Sequence, residues 1–111
     1  MTQFTQQGLQ EMVQVIVETV DPEQIILFGS RSRGDFRAGS DVDLLIVESD
    51  PFSVERSRKK EMIKLWRALV SFPFAKDILV CSREEAEYWR DSLNNVVARA
   101  LREGQVLYER H

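Results

Sequence analysis

Three aspartates lie at the starts of short apolar segments in this sequence of 111 residues. Asp41 and Asp43 stand at the entrance of the run Val42–Val47, and Asp77 comes directly before Ile78–Cys81. On a strand, the side chains of Asp41 and Asp43 would point the same way, roughly 7 Å apart. Carboxylates gathered beside an apolar core repel each other and lose hydration, so divalent cations between them would be favourable. Two such cations about 3.5–4 Å apart are the machinery of phosphoryl and nucleotidyl transfer.

A glycine and a serine, Gly29 and Ser30, end the apolar run that precedes these aspartates. Glycine lets the backbone turn sharply and approach a ligand closely. Ser30 adds a hydroxyl at a predicted helix N-terminus, where exposed N–H groups and the helix dipole attract phosphate. We therefore expect a phosphate-binding turn at the end of one strand and metal ligands at the start of the next.

The composition restricts the metal and the partners. With one cysteine and one histidine, a metal site must use oxygen ligands, which favours Mg²⁺, Mn²⁺ or Ca²⁺ over Zn²⁺. A net charge of −3 argues against a stand-alone nucleic-acid binder. The longest apolar run has four residues, Leu44–Val47, so no membrane span is expected. The single cysteine and the absence of a recognisable signal peptide favour the cytoplasm.

Periodicity predicts the first half of the fold. An apolar stripe predicts a helix that Asp21-Pro22 ends, with core positions at Leu9, Met12, Val13, Ile16, Val17 and Val20. Ile25–Phe28 and Val42–Val47 are predicted as buried strands, joined by a loop from Gly29 to Ser40. A helix is expected to begin near Ser53 and to bury the stripe Met62, Leu65, Trp66, Leu69 and Val70.

The second half continues the alternation. Ile78–Cys81 is predicted as a third buried strand, with Cys81 as inert packing. Ser82 and Glu85 have the spacing of a capping box at a helix start. Leu93, Val96, Val97, Ala100 and Leu101 mark one helical face, Gly104 ends that helix, and Val106–Tyr108 fits a short edge strand. Residues 1–111 are therefore expected to form a single domain, and the spacing by itself favours a parallel α/β sheet.

The pattern Gly29-Ser30, ten residues, then Asp41-Val42-Asp43 resembles the signature of the polymerase-β-type nucleotidyltransferase superfamily. The fuller string GSRSRGDFRAGSDVDLLIV is similar to the minimal nucleotidyltransferases, the MNT proteins of prokaryotes. The resemblance extends over nearly the whole chain. It implies an α+β fold with an alternating α-β-α-β-α-β core, a polymerase-β-like nucleotidyltransferase fold whose small sheet is mixed and flanked by helices.

The resemblance also implies roles for individual residues. Asp41 and Asp43 would hold two Mg²⁺ ions, for which Mn²⁺ can substitute, and Asp77 would hold the ion that activates the attacking hydroxyl. Gly29 and Ser30 would hold the β- and γ-phosphates of a nucleoside triphosphate. Of the loop arginines Arg31, Arg33 and Arg37, we expect Arg33 to contact phosphate, because it lies about one helical turn from Ser30.

The MNT family further implies a partner and a reaction. It is typically paired with a HEPN-domain toxin, and the enzyme acts as the antitoxin by transferring AMP from ATP to a tyrosine hydroxyl of that toxin. Because the nucleotide-binding core is expected to use all 111 residues, the acceptor surface would come from another molecule or from another copy of this chain. A toxin as the acceptor would make a hetero-oligomer. Two alternatives stay open: an antitoxin that neutralises its partner by binding alone, and a nucleotidyltransferase that modifies a small molecule.

Several other residues receive structural interpretations. Ser40 is expected to orient the Asp41 backbone, and Trp66 is assigned to the core. The charged run from Arg56 to Glu61 is interpreted as a solvated helix face rather than a nucleic-acid contact, because its acidic residues offset its basic ones. Tyr88 and Trp89 are left open between the core and a partner surface. His111 is given no role.

Overall fold

A computed structural model of the chain describes residues 6–29, 42–72, 76–93 and 95–110. The described helices are α1 (Gln6–Val20), α2 (Arg58–Leu69), α3 (Arg83–Trp89) and α4 (Val96–Glu103). The described strands are β1 (Gln24–Phe28), β2 (Val42–Glu48), β3 (Lys76–Ser82) and β4 (Gln105–Glu109). Within these ranges, no helix has both the length and the apolar character needed to cross a bilayer.

The four strands form one mixed sheet in the order β3-β2-β1-β4. β2 pairs with β3 in parallel, whereas β1 runs antiparallel to both β2 and β4. The α+β fold with a small mixed sheet is therefore confirmed. The parallel sheet that spacing alone favoured is wrong: β2 and β3, which have the helix α2 between them in the chain, pair in parallel, whereas β1 pairs antiparallel with both of its neighbours.

Strand alternation divides the core into two layers. Val42, Leu44 and Ile46 of β2 face the layer under α1 and α2, where Leu9, Met12, Ile16, Leu65 and Leu69 are also buried. Leu45 and Val47 face the opposite layer with Cys81, Ala86 and Ala100. Because successive strand residues point to opposite faces, Asp43 and Asp77 belong to the face of Leu45 and Leu79.

The helix boundaries follow local capping chemistry. α1 ends where Asp21 takes a left-handed conformation, with φ of 46°, directly before Pro22. The capping box is confirmed: the Glu85 N–H donates to the Ser82 hydroxyl over 3.1 Å, and the Ser82 N–H donates to the Glu85 carboxylate over 3.0 Å. Burial raises the pKa of the Cys81 thiol to about 12, which confirms Cys81 as unreactive packing.

Three predicted details are wrong. The second helix begins at Arg58 rather than near Ser53, because the Ser57 hydroxyl accepts the Lys60 N–H as its N-cap. The side chains of Trp66 and Val70 lie outside the core, with exposed fractions of 39% and 77%. The stripe that begins with Leu93 is not one helix face, because Asn95 caps a new helix, α4.

Tyr88 and Trp89, which the sequence left open, are both exposed and contact each other edge-to-face with their ring centroids 5.0 Å apart.

An ionic cluster closes the carboxyl end of β2. Arg56 donates to the carboxylates of Glu48 and Glu61 over 3.0 and 2.9 Å, so these two residues of the charged run face inward rather than into solvent. Glu48 is 3% exposed, and its Oε2 atom and that of Glu61 are buried without a hydrogen bond. Burial, followed by the Glu61 charge, raises the pKa of Glu48 above its usual value. One arginine therefore holds two carboxylates that would otherwise repel.

Removal of the arginine and removal of one carboxylate should have opposite effects on stability. Arg56→Gln leaves the buried Glu48 without its ion-pair partner and Glu61 with only the longer contact to Lys64, so it should cost about 2–3 kcal/mol of unfolding free energy at pH 7. Glu48→Gln keeps an acceptor for Arg56 and removes a destabilising charge, so its melting temperature should equal or exceed that of the parent.

The pH dependence provides the check. Because the folded-state pKa of Glu48 is raised, protonation stabilises the fold below pH 4.5, and this stabilisation is lost as the pH rises through the folded-state pKa. Any advantage of Glu48→Gln measured by thermal unfolding should therefore shrink between pH 7 and pH 4.5. A larger loss for Glu48→Gln than for Arg56→Gln at pH 7 would contradict this account.

Candidate functional site

Two carboxylates from neighbouring strands lie side by side at one end of the sheet. In the parallel pairing of β2 and β3, Asp43 is the register partner of Asp77. Adjacent strands are about 4.8 Å apart, and register partners project to the same face. Asp43 is half-buried and Asp77 is exposed. The arrangement offers a pair of carboxylates that a ligand can approach from solvent on the Asp77 side.

Gly29 lies against the Asp43 carboxylate. It directly follows Phe28, the register partner of Asp43, and has φ of +78°. A Cβ at this position would lie 3.3 Å from Asp43 Cγ and still closer to its Oδ2. Both the left-handed backbone and the close approach require glycine here. The Asp43 carboxylate therefore packs directly on the backbone of the turn at Gly29, with no room for a side chain between them.

Lys76 anchors the start of β3 from the opposite face. Its ammonium group donates to the Phe72 carbonyl over 2.7 Å and lies 5.7 Å from the centroid of the Trp66 ring. Burial lowers the pKa of Lys76. These contacts connect α2 to the residue directly before Asp77 and so restrain that carboxylate. This role of Lys76 could not be predicted from the sequence, because nothing in the spacing of Trp66 and Lys76 indicates that their side chains are in contact.

The structure brings together three of the six predicted site residues: Gly29, Asp43 and Asp77. The other three, Ser30, Arg33 and Asp41, lie outside the described residues, as do Arg31, Arg37, Ser40 and His111. Within the described ranges, no group of three metal-ligating side chains occurs. The two carboxylates in register fit a hard divalent cation that prefers oxygen ligands.

A cavity of about 380 Å³ lies at the opposite end of the sheet, beside Gln24, Val47 and Glu109. Arg83 in its wall contacts the carboxylates of Glu23 and Glu87, each over 3.5 Å. The charge of Arg83 is therefore already paired within the chain. The paired aspartates, rather than this cavity, form the candidate site.

Paired carboxylates that can hold divalent cations are typical of phosphoryl- and nucleotidyl-transfer enzymes, among others. The sequence profile of the nucleotidyltransferase domain family matches residues 9–99. The chain belongs to this family, and the superfamily resemblance inferred from the sequence is confirmed. None of the curated proteins with which the sequence was compared matches it.

Solved structures share the fold. A Sulfolobus solfataricus protein assigned as a nucleotidyltransferase superposes with a TM-score of 0.61 at 20% identity, over 94% of this chain and 79% of that one. A chain of a toxin–antitoxin structure with AMP-PNP gives 0.55 at 20% identity, over 92% and 74%. A chain of the complex between tri-AMPylated Shewanella oneidensis HEPN toxin and MNT antitoxin gives 0.54 at 18% identity, over 95% and 72%. MNT antitoxin complexes are thus among the structures with this fold.

Replacing Gly29 should damage the site, whereas replacing Gly104 should damage only the fold. Gly29→Ala places a Cβ against Asp43 in a left-handed conformation, which costs about 1–2 kcal/mol in backbone strain alone. We expect calorimetry to show at least about a tenfold loss of affinity for ATP with Mg²⁺, corresponding to about 1.4 kcal/mol.

Gly104→Ala is the matched control. Its Cβ would collide with the Ile26 side chain and lie 2.9 Å from the Leu27 carbonyl oxygen, away from Asp43. This variant should melt at a lower temperature and still bind nucleotide when folded. Parent-like nucleotide affinity in folded Gly29→Ala would show that the packing of Asp43 on Gly29 is not needed for nucleotide binding.

Proposed function

We propose that this chain transfers AMP from ATP to a tyrosine hydroxyl group of a HEPN-domain toxin and thereby acts as an antitoxin. The observation that carries the proposal is the register pairing of Asp43 with Asp77 beside Gly29, in a chain of the nucleotidyltransferase domain family. The shared fold with structures of toxin–antitoxin complexes supports the choice of partner.

The proposal assigns each side chain a role. Asp41 and Asp43 hold two divalent ions, Mg²⁺ or Mn²⁺, and Asp77 holds the ion on the acceptor side. Gly29 and Ser30 bind the β- and γ-phosphates, and Arg33 offsets triphosphate charge. When bound, the ions stabilise negative charge on the attacking and leaving oxygens.

The proposed reaction is a displacement at the α-phosphorus of ATP. Gly29 lets the Asp43 carboxylate lie directly against the turn proposed to bind the triphosphate, and the exposed Asp77 is proposed to face the side from which an acceptor enters. The hydroxyl oxygen forms a bond to the α-phosphorus and its proton passes to water. The bond between the α-phosphorus and the bridging oxygen breaks, and pyrophosphate leaves with the electron pair.

The competing interpretation is an antitoxin that acts by binding alone. Such a protein has no use for two carboxylates held about 5 Å apart at a cost in electrostatic repulsion. The presence of both Asp43 and Asp77 at register positions favours catalysis. We further propose that residues 1–111 work as one nucleotidyltransferase domain in the cytoplasm.

Neutralising each described aspartate should separate nucleotide binding from transfer. Asp43→Asn should weaken ATP binding and transfer together, because it removes charge from both ions. Asp77→Asn should retain most of the nucleotide affinity and still lower the transfer rate at least about a hundredfold, the scale of one electrostatic catalytic element. In excess chelator, nucleotide binding should be lost in the parent as well.

The control is Asp91→Asn, which changes an exposed aspartate in the segment between α3 and α4. It should match the parent in ATP affinity and in transfer of radiolabelled AMP. Both site variants should stay folded, with unchanged or raised melting temperatures in the absence of metal, because a repulsion is relieved. Parent-like transfer by Asp77→Asn would contradict the role given to that carboxylate.

Transfer also predicts that inhibition outlasts the complex. A HEPN toxin incubated with this chain, ATP and Mg²⁺, and then purified away, should carry the added mass of AMP and stay inactive as a ribonuclease. The added phosphodiester would repel RNA, whose affinity depends largely on phosphate charge. An unmodified mass with activity restored on separation would establish binding alone as the mechanism.

A further inference from the structure

One side of α2 is apolar and basic, and it points away from the core. Lys59, Ile63, Trp66 and Val70 follow at intervals of four, three and four residues, which places them along one line of the helix surface. The exposed fractions of Ile63, Trp66 and Val70 are 42%, 39% and 77%. Lys60 and Arg67 flank this line and are also exposed. These six residues form the outward face of α2.

The outward face carries no negative charge. The one carboxylate of α2 belongs to Glu61, which turns inward, is 13% exposed and binds Arg56. Lys64, at the margin of the face, adds a further exposed ammonium group. This concentration of positive charge occurs in a chain whose net charge is −3. A surface that covers it must supply carboxylates around an apolar centre.

The outward face meets the edge strand that carries Asp77, whose side chain projects to the opposite face of the sheet from α2. Trp66 contacts the ammonium group of Lys76, and Lys76 directly precedes Asp77. β3 is the edge strand of the described sheet, next to β2. A partner seated on α2 therefore lies beside the edge at which Asp77 is exposed.

We propose that the outward face of α2 docks the acceptor protein, through an acidic segment with apolar residues at its centre, and so presents the acceptor hydroxyl to the Asp77 edge. This inference rests on the proposed function and adds the surface that selects the substrate. Trp66 is the anchor, since tryptophan is typical of energetically dominant contacts. Ile63 and Val70 favour a protein over RNA, because aliphatic side chains offer bases no stacking surface. A second copy that uses the same face is disfavoured, because basic residues would meet basic residues.

Two double variants test the outward face without altering Lys76 or the aspartates. Lys60→Glu with Arg67→Glu reverses its charge, and Ile63→Ser with Val70→Ser removes its apolar centre. The matched control is Arg99→Glu, which reverses an exposed charge on α4. The probe is a purified HEPN-domain toxin. The affinity of each variant for the toxin is measured without ATP, at low and at high salt. The affinity for ATP with Mg²⁺ and the dependence of the AMP-transfer rate on toxin concentration are measured separately.

Each double variant should weaken toxin binding at least about tenfold, and the charge reversal should also flatten the salt dependence. The KM for toxin should rise while kcat and ATP affinity stay at parent values, and Arg99→Glu should match the parent throughout. Loss of toxin binding in both double variants would support the docking face even if the parent adds no AMP to the toxin. The absence of AMP transfer by the parent would then reject only the proposed reaction.

Four results would overturn the docking proposal. Parent-like toxin affinity in both double variants would do so and leave AMP transfer standing. An absence of toxin binding by the parent would reject the docking face and the partner together. If the parent binds a labelled single-stranded RNA, and Lys60→Glu with Arg67→Glu loses this binding but keeps its toxin affinity, the outward face binds nucleic acid instead. If the parent self-associates in sedimentation experiments, and Ile63→Ser with Val70→Ser does not, the outward face binds a second copy of the chain.

Discussion

The parallel pairing of β2 with β3 is the constraint on which the site depends. It places Asp43 opposite Asp77, and two like charges about 5 Å apart repel by roughly 1–3 kcal/mol at effective dielectric constants between 80 and 20. The same register stacks Leu44, Leu45, Ile46 and Val47 beside four residues of β3, Ile78, Leu79, Val80 and Cys81. Burial of these side chains contributes on the order of 10 kcal/mol, which exceeds the repulsion. The apolar strands can therefore hold the carboxylates together before any ligand binds.

The two ends of β2 handle negative charge differently. At the carboxyl end, Arg56 binds Glu48 and Glu61 from within the chain, and the cluster is largely closed to solvent. At the amino end, Asp77 is exposed and the Asp43 carboxylate packs on the Gly29 backbone. The first arrangement is complete without a ligand and fixes the approach to α2. The second presents a carboxylate to solvent on the edge strand β3, which Lys76 connects to Trp66 of α2. Substrate selection and catalysis would thus share one edge of the sheet.

The sequence predicted the elements better than their orientation. The strands that carry Asp43 and Asp77 could be recognised from short apolar runs. The register between these strands could not be predicted, because long-range packing determines which residues pair. Trp66 and Val70 were assigned to the core because an apolar stripe five residues wide does not reveal which of its sides faces inward. Ser53 and Ser57 are both plausible N-caps, and only the hydrogen bond from Lys60 distinguishes them. Ser30, Arg33 and Asp41 lie outside the described residues, and the roles predicted for them stay predictions.

The central claim is that Asp43 and Asp77 together bind divalent cations with the nucleotide. Paramagnetic broadening of amide resonances by Mn²⁺, in the presence of ATP, tests it most directly. The account predicts strong broadening around Gly29, Asp43 and Asp77, and sharp signals at Glu48, which lies about 16 Å further along β2. In Asp43→Asn the broadening at Asp77 should weaken. Broadening centred on Glu48 and Glu61, or unchanged in Asp43→Asn, would contradict the account.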